Sequence, residues 1–325
     1  MSLAFDLPPE VERLLVAVSG GGDSMALLHL AVLTGRPVEA VTVDHRMREG
    51  SADEARFVAD ACAALGVPHR TLARGDEAWR GQGGARAGRY ALLACAAREA
   101  GAALLVGHTL DDQAETVRMR AARGGGTLGL SGIPPAATLD GVSLLRPLLG
   151  VSRRRLRTWL RQRGVAWLDD PSNRDPRFER VRLRRRPTLP NERIARFADA
   201  ARAHRAVLMR AVAGDFQRNL ALGPVRYRPA LAGVPRLHAV RVLLAWTGGA
   251  EHWPSQARVA RFLAGEPALT IAGAVVRREG EAFTFHVDPR RGDATRGFGR
   301  LVPACDAPVH AVLRALERDV AHGSP

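Results

Sequence analysis

Apolar and polar positions alternate at two distinct periods in the first half of the chain. Leu14-Leu15-Val16-Ala17-Val18 is a short apolar run and reads as a strand, and it is followed by an apolar-periodic helix over Met25 to Leu33. Val38 to Val43 reads as a second strand. Ser51, with Glu54 three residues later, forms a capping box for a helix running from Ala52 to Leu65. Val67 to Leu72 fits a third strand, Arg86 to Ala100 a long helix, Ala102 to Val106 a fourth strand and Asp111 to Arg123 the next helix. This βαβα rhythm predicts an α/β fold with a doubly wound, mostly parallel sheet.

The rhythm ends in a proline- and glycine-rich stretch, Gly124 to Gly150, followed by a basic helix from Ser152 to Arg163. Composition shifts after Pro190: residues 191–220 and 235–247 are helical in pattern, and Leu269 to Val287 reads as a hairpin. Beyond Asp288 the chain reads as irregular, with a short helix near Val309 to Val320. The expected organisation is a catalytic domain over 1–187 and a smaller, mainly helical domain with a β-hairpin over 188–325.

Composition narrows the chemistry. The 325 residues suffice for two cores. No apolar stretch approaches the run of about 20 residues that a membrane span needs, and the N-terminus has no secretory pattern. Cys62, Cys95 and Cys305 form no CxxC pair and fit a reducing, cytoplasmic setting. The net charge of +15 favours a polyanionic partner, against the plainer reading of a generally basic surface. Every side-chain cation except histidine is arginine. A Schiff-base lysine and a GxxxxGK[ST] loop are therefore excluded.

The sharpest motif is Ser19-Gly20-Gly21-Gly22-Asp23-Ser24, between the first strand and its helix. Consecutive glycines let backbone amides close on phosphate oxygens, and the helix start adds unpaired N–H groups and a favourable dipole. Ser19 and Ser24 supply hydroxyls, whereas Asp23 suits a divalent ion or a helix cap. A bare Gly-rich turn would explain the glycines but not the whole SGGxDS pattern in this context. The loop resembles that of the PP-loop ATP pyrophosphatases, which cleave ATP between the α and β phosphates and adenylate a substrate.

Four further stretches choose among those enzymes. They are Val43-Asp44-His45-Arg46-Met47-Arg48, Ala85-Arg86-Ala87-Gly88-Arg89-Tyr90, Gly107 to Thr116 (GHTLDDQAET), and Leu145-Arg146-Pro147-Leu148-Leu149 with Asp170-Pro171-Ser172-Asn173 beyond it. With the loop they resemble the tRNA(Ile)-lysidine synthase family, densely over 12–187 and loosely to about 288. The resemblance implies adenylation of O2 of the wobble cytosine in a CAU-anticodon tRNA(Ile). The side-chain amine of free L-lysine then displaces AMP from C2. ATP and Mg2+ are the implied cofactors, and the oligomeric state is open, a homodimer included. The ATP contacts implied are Ser19, Gly20, Gly21, Gly22, Asp23, Ser24, Asp44 and His45, and Asp112, His108 and Asp23 are the catalytic candidates.

The residues fit that chemistry on their own terms. The nucleophile comes with the substrate, so carboxylates that hold an ammonium group are what the protein must supply. Asp112 and Glu115 are three apart and share a helix face, which suits lysine binding; Arg86, of the ARxxRY stretch, is the third residue expected to bind lysine. Asp111 fits N-terminal capping. His108 is divided evenly between a structural hydrogen bond and a nucleotide contact. Between Arg153 and Arg186 stand thirteen arginines and four acids, and Arg153, Arg157 and Arg161, with Arg180 and Arg184, are the expected tRNA contacts.

Two positions depart from the family pattern. Gln82 stands where a Glu is usual, and Val181 replaces an Asn in the RNxIR stretch. No counterpart of the longest members' last domain is visible. A 2-thiolation enzyme would use paired cysteines or an iron–sulfur cluster, and an amidotransferase would need a glutaminase. A non-catalytic RNA-binding relative would not need the intact loop, Asp112 and Glu115.

Overall fold

The structure is a computed structural model that describes residues 3, 5, 7–44, 51–73, 81–123, 126, 129–169, 189–222, 225–249, 254–291, 309, 311–313 and 315. His45, Arg180, Val181, Arg184 and the 170–173 loop lie outside these residues, as do the side chains of Ser51 and Gln82. The chain divides into two compact units, Met1–Ala201 and Arg202–Pro325. The division falls inside the long helix that begins at Asn191.

The first unit is built on six strands: β1 (Leu14–Ala17), β2 (Val38–Asp44), β3 (His69–Ala73), β4 (Ala103–Leu105), β5 (Ala136–Leu139) and β6 (Val142–Leu145). Their order is β3-β2-β1-β4-β6-β5. All neighbours are parallel except β5 and β6. The helices are α1 (Gly22–Val32), α2 (Ser51–Ala64), α3 (Gly81–Glu99), α4 (Leu110–Ala122) and α5 (Arg153–Arg161).

The continuous apolar run of β1 is explained by cover on both faces. Leu14 and Val16 join one core cluster with Met25, Leu28, Val58, Leu156 and Trp159, while Leu15 joins another with Val41, Leu93, Ala97 and Leu104. Each such side chain, once buried, contributes roughly 1.5–3 kcal/mol. The sheet is thus doubly wound, as the alternation predicts. The chain runs outward from β1 through β2 to β3, then restarts on the other side at β4. That reversal opens a crevice at the carboxyl ends of β1 and β4, where ligands bind in such sheets.

The β5–β6 hairpin lies within the proline- and glycine-rich stretch over 124–150, to which no element was assigned from sequence. Asp140 (φ 48°) and Gly141 (φ 83°) form its turn, both in the left-handed region that a two-residue hairpin of this twist demands.

Helix α6 (Asn191–Asn219) begins in the first unit and continues into the second. The second unit adds α7 (Gly233–Thr247), α8 (Gln256–Ala264) and an antiparallel sheet of β7 (Leu220–Ala221), β8 (Val225–Tyr227), β9 (Ala268–Ile271), β10 (Ala274–Glu279) and β11 (Ala282–Val287), ordered β7-β8-β11-β10-β9. The stretch expected to be a hairpin is therefore three strands, β9 to β11, of a five-stranded sheet. Residues 309, 311–313 and 315 are helical, as the pattern there predicts.

Asp215 is fully buried in this unit. Its carboxylate accepts from Asn219 Nδ2 (2.7 Å) and from the hydroxyl of Tyr227, whose ring stands edge-on to Phe216. Burial and the adjacent Asp215 raise the phenol's pKa well above its usual value. Tyr227→Phe leaves that carboxylate short of one donor and should cost about 1–3 kcal/mol of stability, read from urea unfolding. A loss below about 0.5 kcal/mol, the range of an indifferent surface change, would mean that Asn219 suffices.

Candidate active site

The loop after β1 enters α1 with no side-chain cap: Gly21 is the N-cap, so the first N–H groups of α1 have no side-chain partner. Gly20 has φ 78°, and a Cβ there would lie 2.8 Å from Leu168 Cδ1. Leu168 N–H donates to Gly20 O (2.9 Å), so the segment after α5 backs the loop. The Ser24 hydroxyl donates to Gly21 O (2.9 Å) and accepts from Ser19 N–H (3.1 Å), which closes the turn. Gly107, after β4, meets the start of α1 so closely that a Cβ would stand 3.2 Å from Asp23 O. Ser19, Gly20, Gly21, Gly22, Asp23 and Ser24 therefore form one cradle. Asp44 ends β2, the neighbouring strand, at the same edge of the sheet.

Helix α4 starts beside that cradle. Thr109 is its N-cap, and Asp112 Oδ2 accepts from both the N–H and the hydroxyl of Thr109 (2.8 Å each). The capping carboxylate is thus Asp112, not the expected Asp111. The reason is register: with Thr109 as cap, the residue that folds back is the third helical one. Asp111 instead accepts the backbone N–H of Arg153 (2.8 Å) and Asn191 Nδ2 (3.1 Å). Leu110 N–H donates to Val151 O (3.0 Å), so the starts of α4 and α5 are tied together.

Arg153, expected among the tRNA contacts, has its guanidinium engaged by three carboxylates. Its Nε donates to Asp23 Oδ2 (3.0 Å), Nη1 to Glu115 Oε1 (3.0 Å) and Nη2 to Asp112 Oδ1. Buried Leu156, Trp159 and Leu160 fix the helix against the core. With that face inward, its first residue points across the joined helix starts. Sequence spacing groups Arg153 with Arg157 and Arg161, but the partners that decide its place are distant in the chain.

The electrostatics follow from this grouping. Burial raises the Asp23 pKa despite Arg153 beside it. Burial also opposes the charge on Asp112, but Arg153 and the Thr109 hydrogen bonds outweigh it and hold that carboxyl below its usual value. The same carboxylates raise the pKa of Arg153 against its own burial. Burial, with Arg146, Arg86 and Arg89 adding to it, lowers His108 to about 4, and Asp112 opposes the shift. His108 Nδ1 is buried with no hydrogen-bond partner among the described residues. Arg86 is exposed on α3, its guanidinium 5.0 Å from the Tyr90 ring centre. Arg146, which sequence reasoning left without a role, is buried and donates from Nη1 to Pro134 O (2.8 Å).

Arg157 pairs with Asp169 (3.2 Å), and Arg161 lies 5.6 Å from the Trp167 ring. With Asp111, Arg153 and Arg154 they line an open basic cleft of about 410 Å³. No described group of three or more His, Cys, Asp or Glu residues forms a metal cage. Mg2+ bound through one carboxylate and nucleotide phosphates needs no such cage, and Asp23 fits that arrangement.

The model of a PP-loop domain matches residues 4–190. A tRNA(Ile)-lysidine synthase of Ruegeria pomeroyi is 37% identical over 307 residues, 86% of this chain and 71% of that protein. The protein of that name in Mesorhizobium japonicum is 41% identical over 298 residues, 81% of this chain and 64% of its own length. The one in Methylobacterium nodulans is 39% identical over 322 residues, 87% of this chain and 93% of its own. The chain thus spans about two thirds of the first two relatives and most of the third.

His108 gives the site a pH signature. Its folded-state pKa near 4 lies below the ordinary value of 6.5, so between those values the unfolded chain binds the extra proton. Stability from this group therefore rises as pH climbs from about 4 to 6.5 and is flat above. His108→Gln should flatten that rise, measured as unfolding free energy at pH 4.5 and 7. An unchanged slope would show that the imidazole is ordinary and solvated.

Proposed function

The chain belongs to the tRNA(Ile)-lysidine synthase family of PP-loop enzymes, and from that membership we propose that it joins free L-lysine to C2 of the wobble cytidine of a CAU-anticodon tRNA(Ile). The observation that carries this reading is the meeting of Asp112 and Glu115 with Asp23 of the phosphate loop around a single cationic group. A place that holds a guanidinium by three carboxylates suits a substrate ammonium, and it adjoins the cradle for ATP.

The reaction runs in two steps. Cytosine O2 attacks the α-phosphorus held at Ser19–Ser24, and pyrophosphate leaves. The lysine ε-nitrogen then bonds to C2, the C2–O2 bond breaks, AMP departs with that oxygen, and the nitrogen loses a proton. The open amides of α1 and the Ser19 and Ser24 hydroxyls orient the phosphates. Mg2+ held by Asp23 would neutralise charge on them. Asp112 and Glu115 hold the ammonium end of lysine, and Arg86 faces its carboxylate. His108, uncharged above pH about 4, stands beside Asp112 as a neutral imidazole. Arg157 and Arg161, at the mouth of the basic cleft, hold the tRNA backbone.

The test is nucleoside analysis of tRNA(Ile) incubated with the protein, ATP and labelled lysine. Lysidine should form with one AMP and one pyrophosphate each; ATP consumption without label in the nucleoside would refute the reading. At saturating ATP, Glu115→Gln should raise the lysine requirement roughly ten- to hundredfold, the worth of one charge-assisted contact of about 1.5–3 kcal/mol. The ATP requirement should stay near the parent's. An equal rise in both would place Glu115 outside the amine site.

A second measurement separates tRNA binding from chemistry. The Arg157→Gln, Arg161→Gln double variant should bind tRNA more weakly, and each lost phosphate contact should lower the slope of log K against log salt by about 0.7–0.9. Arg153 is excluded from this variant because its side chain is engaged by the carboxylates. A parental affinity and slope would assign tRNA binding to other surfaces.

A further inference from the structure

We propose that Arg153 is a resident occupant of the amine site, which keeps lysine out until nucleotide binds and then moves onto the phosphates. The inference rests on the function proposed above and adds an order of binding to it. Each guanidinium nitrogen of Arg153 is committed to a different carboxylate: Nε to Asp23, Nη1 to Glu115 and Nη2 to Asp112. One oxygen of each carboxylate is therefore already committed to Arg153. A second cation placed among them would meet the guanidinium at contact distance, so lysine and Arg153 compete for one position.

The same contacts show how the position is vacated. Asp23 belongs to the phosphate cradle, so Arg153 already reaches the loop where the triphosphate lies. Nucleotide brings several negative charges to that point, and a planar guanidinium pairs with phosphate as readily as with carboxylate. The backbone of Arg153 is anchored by its N–H to Asp111 Oδ2 (2.8 Å), and Leu156 is fully buried one turn further on. Movement is thus confined to the side chain. That side chain is 22% exposed and lines the open cleft, so it has space in which to turn. Once it swings to the phosphates, Asp112 and Glu115 are left without their cation and the lysine ammonium replaces it. The order matches the chemistry, because the amine is needed only after adenylation.

The experiment is equilibrium dialysis of labelled lysine against the full chain, with and without Mg2+ and α,β-methylene-ATP, an analogue not cleaved between the α and β phosphates. The parent should bind lysine roughly tenfold or more tightly with the analogue, the worth of at least one charge-assisted contact. Arg153→Gln should bind lysine with similar affinity in both conditions, because the occupant is gone. Arg153→Lys keeps a competing cation and should retain the dependence on nucleotide. The parent alone decides the matter if Arg153→Gln does not fold. Lysine binding by the parent that is equal in the two conditions, or absent from both, overturns the proposal, as does an Arg153→Gln protein that keeps the parent's dependence. Lysidine formation by the parent is scored in parallel. If lysidine forms while lysine binding ignores nucleotide, only the role of Arg153 fails; if no lysidine forms, the reading of function fails with it.

Discussion

Three helices begin at one place on the carboxyl edge of the parallel sheet, and carboxylates from two of them are reconciled by one guanidinium from the third. Asp23 comes from α1, Asp112 and Glu115 from α4, and Arg153 is the first residue of α5. Helix starts favour negative groups by about 0.3–1 kcal/mol each, which favours Asp23 and Asp112, in the first turns of α1 and α4; Glu115 lies one turn further along α4. The same dipole disfavours a cation at the first position of α5. Three charge-assisted hydrogen bonds at about 1.5–3 kcal/mol apiece outweigh that penalty. Removing one partner from such a cluster leaves buried charge uncompensated, typically at about 3–5 kcal/mol. The joined starts of α1, α4 and α5 therefore depend on the charge balance held by this one residue.

That dependence explains which parts of the site were legible in the sequence. The phosphate loop is local: strand, glycines and helix are contiguous, and Gly20 with φ 78° is the residue that such a turn selects. Asp112 and Glu115 share a helix face at a spacing of three, so their proximity was also legible. Arg153 was not, because its position is set by contacts 38, 41 and 130 residues away along the chain. Helical spacing put it on a face with Arg157 and Arg161, and for the backbone that is correct. The first residue of a helix, however, can turn its side chain past the helix end, and the abutting start of α4 makes that direction the favoured one. The exchange of roles between Asp111 and Asp112 has a similar cause. One residue of register at the N-cap decides which carboxylate folds back and which reaches a neighbouring helix.

The fold was legible where apolar periodicity was strong. The run in β1 and the periodic helices give the doubly wound sheet directly. The β5–β6 hairpin was missed because proline and glycine composition outweighed a short Asp140-Gly141 turn signal. In the second unit, α8 and the short β7 and β8 carry too few residues to stand out, and their pairing with β11 is a tertiary fact. The three-strand run from β9 to β11 reads from sequence as a single hairpin because its turns, Ala272-Gly273 and Gly280-Glu281, are only two residues long.

The absence of lysine from the chain takes on a chemical meaning at this site. A cation that sits among Asp23, Asp112 and Glu115 lies, on the proposed reaction, next to an activated C2. A lysine there would carry the same ε-amine as the substrate. Once deprotonated it would attack the adenylated base and link the enzyme to its tRNA. A guanidinium supplies the charge without that hazard, because it stays protonated at any pH where the protein works. The carboxylates raise its pKa still further. It also offers three nitrogens in a plane, one for each carboxylate, where an ammonium would concentrate its donors at one point. Both requirements, a permanent charge and an inert nitrogen, select arginine over lysine at position 153.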